Sequence, residues 1–270
     1  MTAIGIIGHL ARDVVAGAAP RVGGTVYYGA RAAARLGAPA RIVARCAPAD
    51  RALLLAPLEQ LGLPVTWHTT TASTGFSFHY EGDHRVMAVD AIGDPWTADD
   101  IRTWVADALG DATWVQVGAL LRTDFGPASL AALAGRERRL LVDGQGLVRA
   151  AVTGQLRRDR DVERSVLGSL QVLKLNESEA TILAGGTDPE RLRGLGVPEV
   201  LVTFGSRGSA VVTATGEWRV AAASSEPVQD PTGAGDGYST AYLAARSAGA
   251  APAAAGEHAA AFVATLLSGR

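Results

Sequence analysis

Cysteine is almost absent from this sequence, since Cys46 is the only one in 270 residues. A single thiol can form neither an internal disulfide nor a cysteine zinc cluster, which favours a reducing environment. Excess charge is absent as well, because 25 lysines and arginines face 27 acidic residues, for a net charge of -2. Without a basic surplus we expect no nucleic-acid partner and no membrane partner.

Long hydrophobic runs are missing too. The apolar run Ile4–Ile7 is short and has no positive charge before it, so we interpret it as a first β-strand and not as a signal peptide. The alanine-rich stretch from Ala248 is interrupted by Pro252 and Gly256 and lacks the roughly 20 apolar residues of a spanning helix. We therefore expect a surface helix there and a cytoplasmic protein.

Strand-like and helix-like segments alternate along the chain. Apolar runs rich in Ile, Val and Leu lie at Ile4–Ile7, Arg41–Val43, Trp114–Val117, Leu140–Val142, Val172–Leu175 and Val200–Val202. Helix-like segments lie between them at Tyr28–Leu36, Ala52–Leu61, Ala98–Leu109, Ala128–Ala134 and Glu177–Leu183. Short apolar runs of this kind are typical of strands buried on both faces. Their alternation with helices predicts a parallel sheet with helices on both sides.

Two hairpin patterns interrupt this alternation. Residues Thr74–Val89 alternate in character around a turn at 81–83, and a second hairpin pattern joins Ser209–Thr213 to Glu217–Val220. A hairpin within an α/β chain is a candidate lid over a binding site. Because we find no repeats or low-complexity linkers, we expect one domain over residues 1–270, with a small β lid from about 13–22 and 74–89.

The segment with the clearest chemistry is rich in small residues. Gly233, Ala234 and Gly235 precede an apolar-periodic stretch at Tyr238–Ser247 that indicates a helix. Small residues at a helix start let backbone N–H groups point at one spot, where the helix dipole also favours an anion. Asp236 would lie beside that anion and could accept a proton, as phosphoryl transfer requires. The alternative is a glycine turn with Asp236 as a capping residue.

The longer motif DPTGAGDG closely resembles the C-terminal signature of the PfkB, or ribokinase-like, carbohydrate kinases. No Walker A motif and no protein-kinase signature set occurs. The resemblance implies that Asp236 is the catalytic base and that Gly233, Ala234 and Gly235 form the anion hole. It also implies that Thr232 and Asp230 shape the loop.

A second motif, KLNESE at 174–179, follows a predicted strand and opens a predicted helix. It resembles the N-x-x-E motif of the same family. The resemblance places Lys174, Asn176 and Glu179 at the bound ATP, with Asn176 and Glu179 organising Mg²⁺ and its waters. Such a site is chemically reasonable, because Mg²⁺ needs only one or two carboxylates besides phosphate oxygens and water. The alternative is helix capping by Asn176.

A third motif, VTFGSRG at 202–208, is a predicted strand that runs into a glycine turn. It resembles the family segment that lines the nucleotide site. The resemblance implies that Thr203, Gly205 and Gly208 contact ATP or make room for it. The three motifs also occur in the order that the family has.

The N-terminal part resembles the substrate-recognition elements of the family. GHLARD at 8–13 follows the first predicted strand, and Gly23 and Gly24 open the segment GGTVYYGARAAARLG. The resemblance implies that Asp13 accepts hydrogen bonds from substrate hydroxyls and that Gly23 and Gly24 allow close approach of the backbone. Asp13 as an ordinary turn residue is the alternative.

Departures from the family pattern bear on the substrate. Ribokinases carry asparagine at the positions of Ala11 and Tyr28, so this chain does not resemble a ribokinase in the narrow sense. Tyr28, together with DGQGLVR at 143–149, looks more like the myo-inositol kinase branch. As a hypothesis, Gln145 and Arg149 reach the substrate or the transferred phosphate, because arginine suits bidentate contacts with oxygens. Helix packing by Tyr28 and a solvated Arg149 are the alternatives.

Taken together, the motifs predict a ribokinase-like α/β/α sandwich with a mostly parallel central sheet and a small β lid. The predicted activity is transfer of the ATP γ-phosphate, with Mg²⁺, to a hydroxyl of a sugar or a cyclitol such as myo-inositol. Lid closure would exclude water from the site. A nucleoside kinase of the same fold and a catalytically silent sugar-binding protein are the alternatives. A homodimer through the lid is also predicted.

Overall fold

The apolar runs form buried parallel strands in the computed structural model, which describes residues 2–81, 84–135, 137–222 and 232–268. The strands are β1 (Ile4–His9), β2 (Ala11–Val15), β3 (Arg21–Gly23), β4 (Ala40–Cys46), β5 (Val65–Thr69), β6 (Thr74–Glu81), β7 (His84–Ala91), β8 (Trp114–Gly118), β9 (Arg139–Asp143), β10 (Gly154–Gln155), β11 (Leu170–Asn176), β12 (Glu199–Thr203), β13 (Ser209–Thr213) and β14 (Glu217–Val220).

One large sheet has the strand order β14-β13-β12-β11-β9-β8-β1-β4-β5. Its strands are parallel from β12 through β5, whereas β13 and β14 pair antiparallel at one edge. The predicted parallel sheet and the predicted hairpin at its end are therefore confirmed. The edge strand β5 was not predicted, because its residues alternate between half-buried and exposed and form no apolar run.

Helices cover both faces of the large sheet. They are α1 (Thr25–Leu36), α2 (Arg51–Glu59), α3 (Ala98–Asp100), α4 (Ala106–Leu109), α5 (Pro127–Ala134), α6 (Gln145–Val148), α7 (Glu177–Ala184), α8 (Pro189–Arg193), α9 (Ala234–Ser247) and α10 (Pro252–Leu267). A π-helical stretch, Ile101–Val105, joins α3 to α4. In the part of the chain that the structure describes, no helix combines the length and hydrophobicity needed to cross a membrane.

Two hydrophobic cores lie on opposite faces of the sheet, because successive residues of a strand point to opposite faces. Leu201 packs in the core formed with α1, α2, α9 and α10, whereas its neighbour Val202 packs in the core formed with α5, α7 and α8. The three-layer α/β/α arrangement that the sequence predicts is thus confirmed. The alanine-rich C-terminal stretch is α10, which packs against α9 and β13 as the predicted surface helix.

A second sheet of five strands, in the order β10-β7-β6-β2-β3, lies beside the large one. Strands β6 and β7 are antiparallel, as the first hairpin pattern predicts, although residues 82–83 of its turn lie outside the described residues. The segments 13–22 and 74–89 both contribute to this sheet. Its Phe76 packs with Leu120 and Leu121 of the main body. Its behaviour as a lid, and the single-domain boundaries 1–270, remain predictions.

Candidate active site

A cavity of about 360 Å³ opens between the ends of the parallel strands and the five-stranded sheet. Open α/β sheets bind ligands in such crevices, outside the carboxyl ends of their strands. The cavity gathers residues that are far apart in sequence but were predicted as site residues. Those that line it are Asp13, Gly24, Tyr28, Gln145, Arg149, Lys174, Thr232, Gly233, Gly235 and Asp236.

Helix α9 begins at Ala234, before the apolar-periodic stretch 238–247 that indicates it, and its first turn lies at the cavity. Gly233 has φ 82°, a left-handed conformation that glycine adopts readily, and it turns the chain into the helix. The amides at the start of a helix have no carbonyl four residues earlier to bond. Those of Ala234, Gly235 and Asp236 are therefore suited to hold an anion. Asp230, which the sequence places in this loop, lies outside the described residues.

The carboxyl group of Asp236 has an unusual protonation equilibrium. Burial raises its pKa to about 6, and the negative charge of Asp143 acts in the same direction. A hydrogen bond from Thr25 and the positive charges of Lys174 and Arg149 oppose the rise. A general base works best when its pKa lies near the working pH. At neutral pH Asp236 is therefore mostly ionised, yet basic enough to accept a proton.

The backbone at Asp236 is held by a polar network on α9 and β8. The Gln116 amide nitrogen donates to the Asp236 carbonyl at 3.4 Å. The Thr240 hydroxyl lies 2.6 Å from Gln116 Oε1 and 3.0 Å from the same carbonyl. Gln116 and Thr240 are both buried. Because buried polar groups with satisfied hydrogen bonds are rigid, this network fixes the position of the first turn of α9.

Lys174 lies directly beneath the anion-binding turn. A Cβ atom on Gly235 would come within 2.8 Å of its Nζ, so glycine is needed there for the ammonium group to approach the backbone. The same Nζ donates to Asp143 at 2.8 Å, and each side chain is only 7% exposed. Burial lowers the pKa of Lys174, but the charges of Asp143 and Glu179 outweigh burial and keep it above its ordinary value. The lysine is therefore a fixed positive charge beside the cavity.

Asn176 and Glu179 do not line the cavity. They form a capping box on α7, in which the Asn176 side chain accepts from the Glu179 amide and the Glu179 carboxylate accepts from the Asn176 amide, both at 2.9 Å. Burial and the charge of Asp143 raise the pKa of Glu179. Among the described residues, no group of three metal-ligating side chains occurs. A single carboxylate with phosphate oxygens and water is still compatible with Mg²⁺.

Thr203, Gly205 and Gly208 also lie outside the cavity lining. The Thr203 hydroxyl donates to the Leu175 carbonyl at 3.3 Å. Gly208 has φ 94°, and a Cβ there would come within 2.1 Å of the Val220 carbonyl oxygen. The close approach of β13 and β14 is therefore enough to explain why residue 208 is a glycine, and contact with a nucleotide is not needed for that explanation.

Residues predicted for the substrate, among them Asp13, Gly24 and Tyr28, line the same cavity. Asp13 is only 6% exposed, and a Cβ on Gly23 would come within 2.1 Å of its carboxylate, so Gly23 makes room for Asp13 without lining the cavity itself. Gly24 has φ 90° and lies close to the His9 carbonyl oxygen. The Tyr28 ring packs on Gly233, where a Cβ would be 2.5 Å away. Tyr28 therefore belongs to the cavity wall as well as to α1.

Several cavity residues were not predicted as site residues. Thr25 and Asp143 line the cavity beside Asp236, and Phe76, Met87 and Leu120 give it an apolar wall, with Ala11 next to them. Asp143 could have been found, because it ends an apolar run that was predicted as a strand. Phe76 and Met87 of the hairpin could not have been predicted as cavity residues, because the strand pattern does not show which face of the hairpin meets the main body.

Comparisons with known proteins identify the family of this chain. Residues 21–269 match the family described as pfkB family carbohydrate kinase. Similar solved structures include a pyrophosphate-dependent kinase in the ribokinase family, complexed with a pyrophosphate analog and myo-inositol, at 24% identity and a TM-score of 0.84, with 98% of this chain and 95% of that chain covered. A search of curated proteins finds no match.

Two further structures are similar over most of their length. A Burkholderia thailandensis nucleoside kinase in complex with inosine has 20% identity and a TM-score of 0.78, covering 98% of this chain and 91% of that chain. The Arabidopsis thaliana ribokinase complexed with ribose and ATP has 18% identity and a TM-score of 0.71, covering 99% and 93%. At these identities the likeness concerns the fold, and it confirms the predicted ribokinase-like architecture.

Proposed function

This chain belongs to the pfkB family of carbohydrate kinases, and we propose that it transfers a phosphoryl group from ATP to a hydroxyl of a sugar or of a cyclitol similar to myo-inositol. The observation that carries the proposal is the position of Asp236. Its carboxyl group, with a pKa of about 6, lies in one cavity with the anion-binding turn of α9 and with Asp13, Gln145 and Arg149.

In the proposed reaction the acceptor oxygen attacks the terminal phosphorus of the donor while Asp236 takes the hydroxyl proton. The bond from that phosphorus to the bridging oxygen breaks, and the leaving diphosphate keeps the electron pair. The free amides at the start of α9, those of Ala234, Gly235 and Asp236, would stabilise charge on the transferred oxygens, as preorganised donors do in such transition states. Lys174 adds a positive charge beneath this turn, and Thr232 borders it.

The lining of the acceptor side favours a ring with polar edges and an apolar face. Asp13, Gln145 and Arg149 offer hydrogen-bonding and charged groups, whereas Phe76 and Met87 are apolar. A cyclitol or sugar presents hydroxyls at its edge and C–H groups on its face, which suits this combination. The similar structure complexed with myo-inositol supports this acceptor class. A nucleoside is the alternative, since another similar structure is a nucleoside kinase.

The donor has a second candidate. Only some of the residues predicted at the donor line the cavity. Those that do are Lys174, Thr232, Gly233 and Gly235, and those that do not are Asn176, Glu179, Thr203, Gly205, Gly208 and Ala234. One similar structure is that of a pyrophosphate-dependent kinase. Pyrophosphate contains the same phosphoanhydride as ATP without the nucleoside, so it remains a second donor to test. Mg²⁺, when bound, would neutralise donor phosphate charge, and Glu179 and Asn176 remain its predicted protein partners.

The experiment is a screen of cyclitols, sugars and nucleosides with ATP or pyrophosphate as donor, in which the phosphorylated product is measured. We expect turnover with a cyclitol or sugar. In Asp236→Asn we expect turnover to fall about 10²–10⁴-fold with acceptor binding retained, because general-base catalysis contributes a factor of that size. The exposed Asp107→Asn is the control for the same loss of charge. Near-normal turnover in Asp236→Asn would remove the base from the mechanism.

Two outcomes would redirect the proposal. Tight acceptor binding without turnover by any donor would favour the silent sugar-binding alternative, and turnover restricted to nucleosides would favour the nucleoside kinase. The role of Arg149 is tested separately, because Arg149→Ala should raise KM for the acceptor or lower turnover. Unchanged values would remove Arg149 from the site. A homodimer through the small sheet stays a prediction, to be checked by the molar mass in solution.

A further inference from the structure

Thr25 is the first residue of α1 and is held rigidly beside Asp236. It lines the cavity but is only 1% exposed. A Cβ placed on Gly118 would come within 3.0 Å of the Thr25 Cβ and within 3.3 Å of its methyl carbon, so the glycine lets the threonine pack against β8. A β-branched side chain is restricted at χ1, and the packing against Gly118 together with the hydrogen bond from Gln145 selects one of the rotamers that threonine adopts. The Thr25 hydroxyl therefore points in a defined direction.

The direction of the hydrogen bonds at Thr25 follows from the chemistry of its partners. Thr25, Gln145 and Asp236 line the same cavity, and the Gln145 amide nitrogen donates to Thr25 Oγ at 3.1 Å. Hydrogen bonding by the Thr25 side chain lowers the pKa of the Asp236 carboxyl group. An ionised carboxylate can only accept, so the single Thr25 hydroxyl hydrogen is donated to Asp236. The Thr25 oxygen then has to accept from Gln145, which fixes the amide group with its nitrogen toward Thr25.

This orientation leaves the other end of the Gln145 amide for a ligand. Gln145 lines the cavity and is only partly buried. In the described part of the chain, no protein group hydrogen-bonds to its Oε1. An amide oxygen with this position accepts a hydrogen bond from a hydroxyl.

We propose that Gln145, Thr25 and Asp236 form a directed relay in which Gln145 Oε1 accepts from an acceptor hydroxyl next to the reacting one and Thr25 orients the base. The proposal rests on the proposed kinase function and deepens it. It assigns Thr25 as a positioning residue and Gln145 as the residue that recognises a vicinal diol of the acceptor. The acceptor would carry two neighbouring hydroxyls, one donating to Gln145 and one giving its proton to Asp236.

The charges around Asp236 determine how the relay should affect pH dependence. Asp143 faces it from the end of β9, Lys174 from β11 and Arg149 from the end of α6. Thr25 is a neutral donor that favours the ionised carboxylate against burial and the charge of Asp143. Loss of the hydroxyl should therefore raise the pKa of Asp236 and move the acidic limb of the rate profile to higher pH.

The first test compares Thr25→Val with Thr25→Ser. Valine keeps the branched shape against Gly118 but has no hydroxyl, whereas serine keeps the hydroxyl. We expect the acidic limb of kcat to move upward by about one pH unit in Thr25→Val, because a hydrogen bond to a charged group is strong enough for such a change. In Thr25→Ser the limb should stay at the wild-type pH. If the wild-type protein and both variants have the same melting temperature and the same pH for the acidic limb of kcat, the role of Thr25 is refuted.

The second test concerns Gln145 and uses acceptors with and without the neighbouring hydroxyl. We expect removal of that hydroxyl to lower kcat/KM at least tenfold in the wild-type protein but to have little further effect in Gln145→Leu. Such non-additivity identifies the two groups as partners. If the deoxy acceptor loses the same factor in both proteins, Gln145 does not read the hydroxyl.

Failure of the relay can be separated from failure of the kinase function. If wild-type protein transfers phosphate but neither variant behaves as expected, only the relay is refuted. If wild-type protein transfers phosphate to no acceptor, the function fails first. In that case the pKa of Asp236, followed by carboxyl ¹³C NMR, still tests Thr25, because Thr25→Val should raise it and Thr25→Ser should not.

Discussion

Replacing Asp236 by asparagine should stabilise the protein at neutral pH while it removes activity. The folded protein holds the pKa of Asp236 at about 6, above the ordinary aspartate value of 3.8. A raised pKa means that the folded state binds the proton more tightly than the unfolded state does. Between about pH 4 and pH 6 the carboxyl group is still protonated in the folded state but largely ionised in the unfolded state. The free energy of unfolding therefore falls across this window and stays lower at higher pH.

The size of the effect follows from the two pKa values. A gap of about two pH units corresponds to about 3 kcal/mol in the free energy of unfolding, at 1.36 kcal/mol per unit. Asp236 is partly exposed to the cavity, so screening by solvent makes the effect smaller than this value. We expect the free energy of unfolding to rise by about 1–3 kcal/mol in Asp236→Asn. For 270 residues an unfolding entropy of about 0.6 kcal/mol/K converts this to a rise of about 2–5 °C in Tm.

The assay is thermal unfolding of the wild-type protein and Asp236→Asn at pH 7.5 and at pH 4. Asparagine carries no charge at either pH, so the advantage of the variant should be full at pH 7.5 and should shrink below about 1 kcal/mol at pH 4. The exposed Asp107→Asn controls for the change in net charge. An equal Tm difference at both pH values, or a variant that is less stable at pH 7.5, would refute the reasoning.

Two further perturbations probe the same cavity. Lys174→Met should lower the free energy of unfolding, measured by urea unfolding, by about 3–5 kcal/mol, because it leaves Asp143 buried without its partner. Adding Asp143→Asn should recover part of the lost stability. If the effects of the two substitutions are purely additive, the pairing is contradicted. Gly233→Ala should abolish turnover and lower the free energy of unfolding by about 1–3 kcal/mol. The φ of 82° at this position is strained for alanine, and the Tyr28 ring occupies the place of the new Cβ. A fully active variant with the wild-type Tm would contradict the tight turn.

Much of the fold could be predicted from sequence because its signals are local. Buried parallel strands need continuous apolar runs, and all six predicted runs are strands of the large sheet. The apolar pattern that indicates α9 begins only at Tyr238, because glycines at 235 and 237 weaken the helical pattern over the first turn. The edge strand β5 has no such run and depends on pairing with β4.

The chemistry of the site divides in the same way. The sequence alone determined that a glycine turn with an aspartate opens a helix, because small residues and a helix start are adjacent in the chain. Only the tertiary structure decided that Lys174 lies beneath Gly235, that Asp143 pairs with it, and that Thr25 meets a glutamine 120 residues away. Those contacts join helices and strands that are remote in sequence, and no local pattern encodes which remote side chains share a cavity.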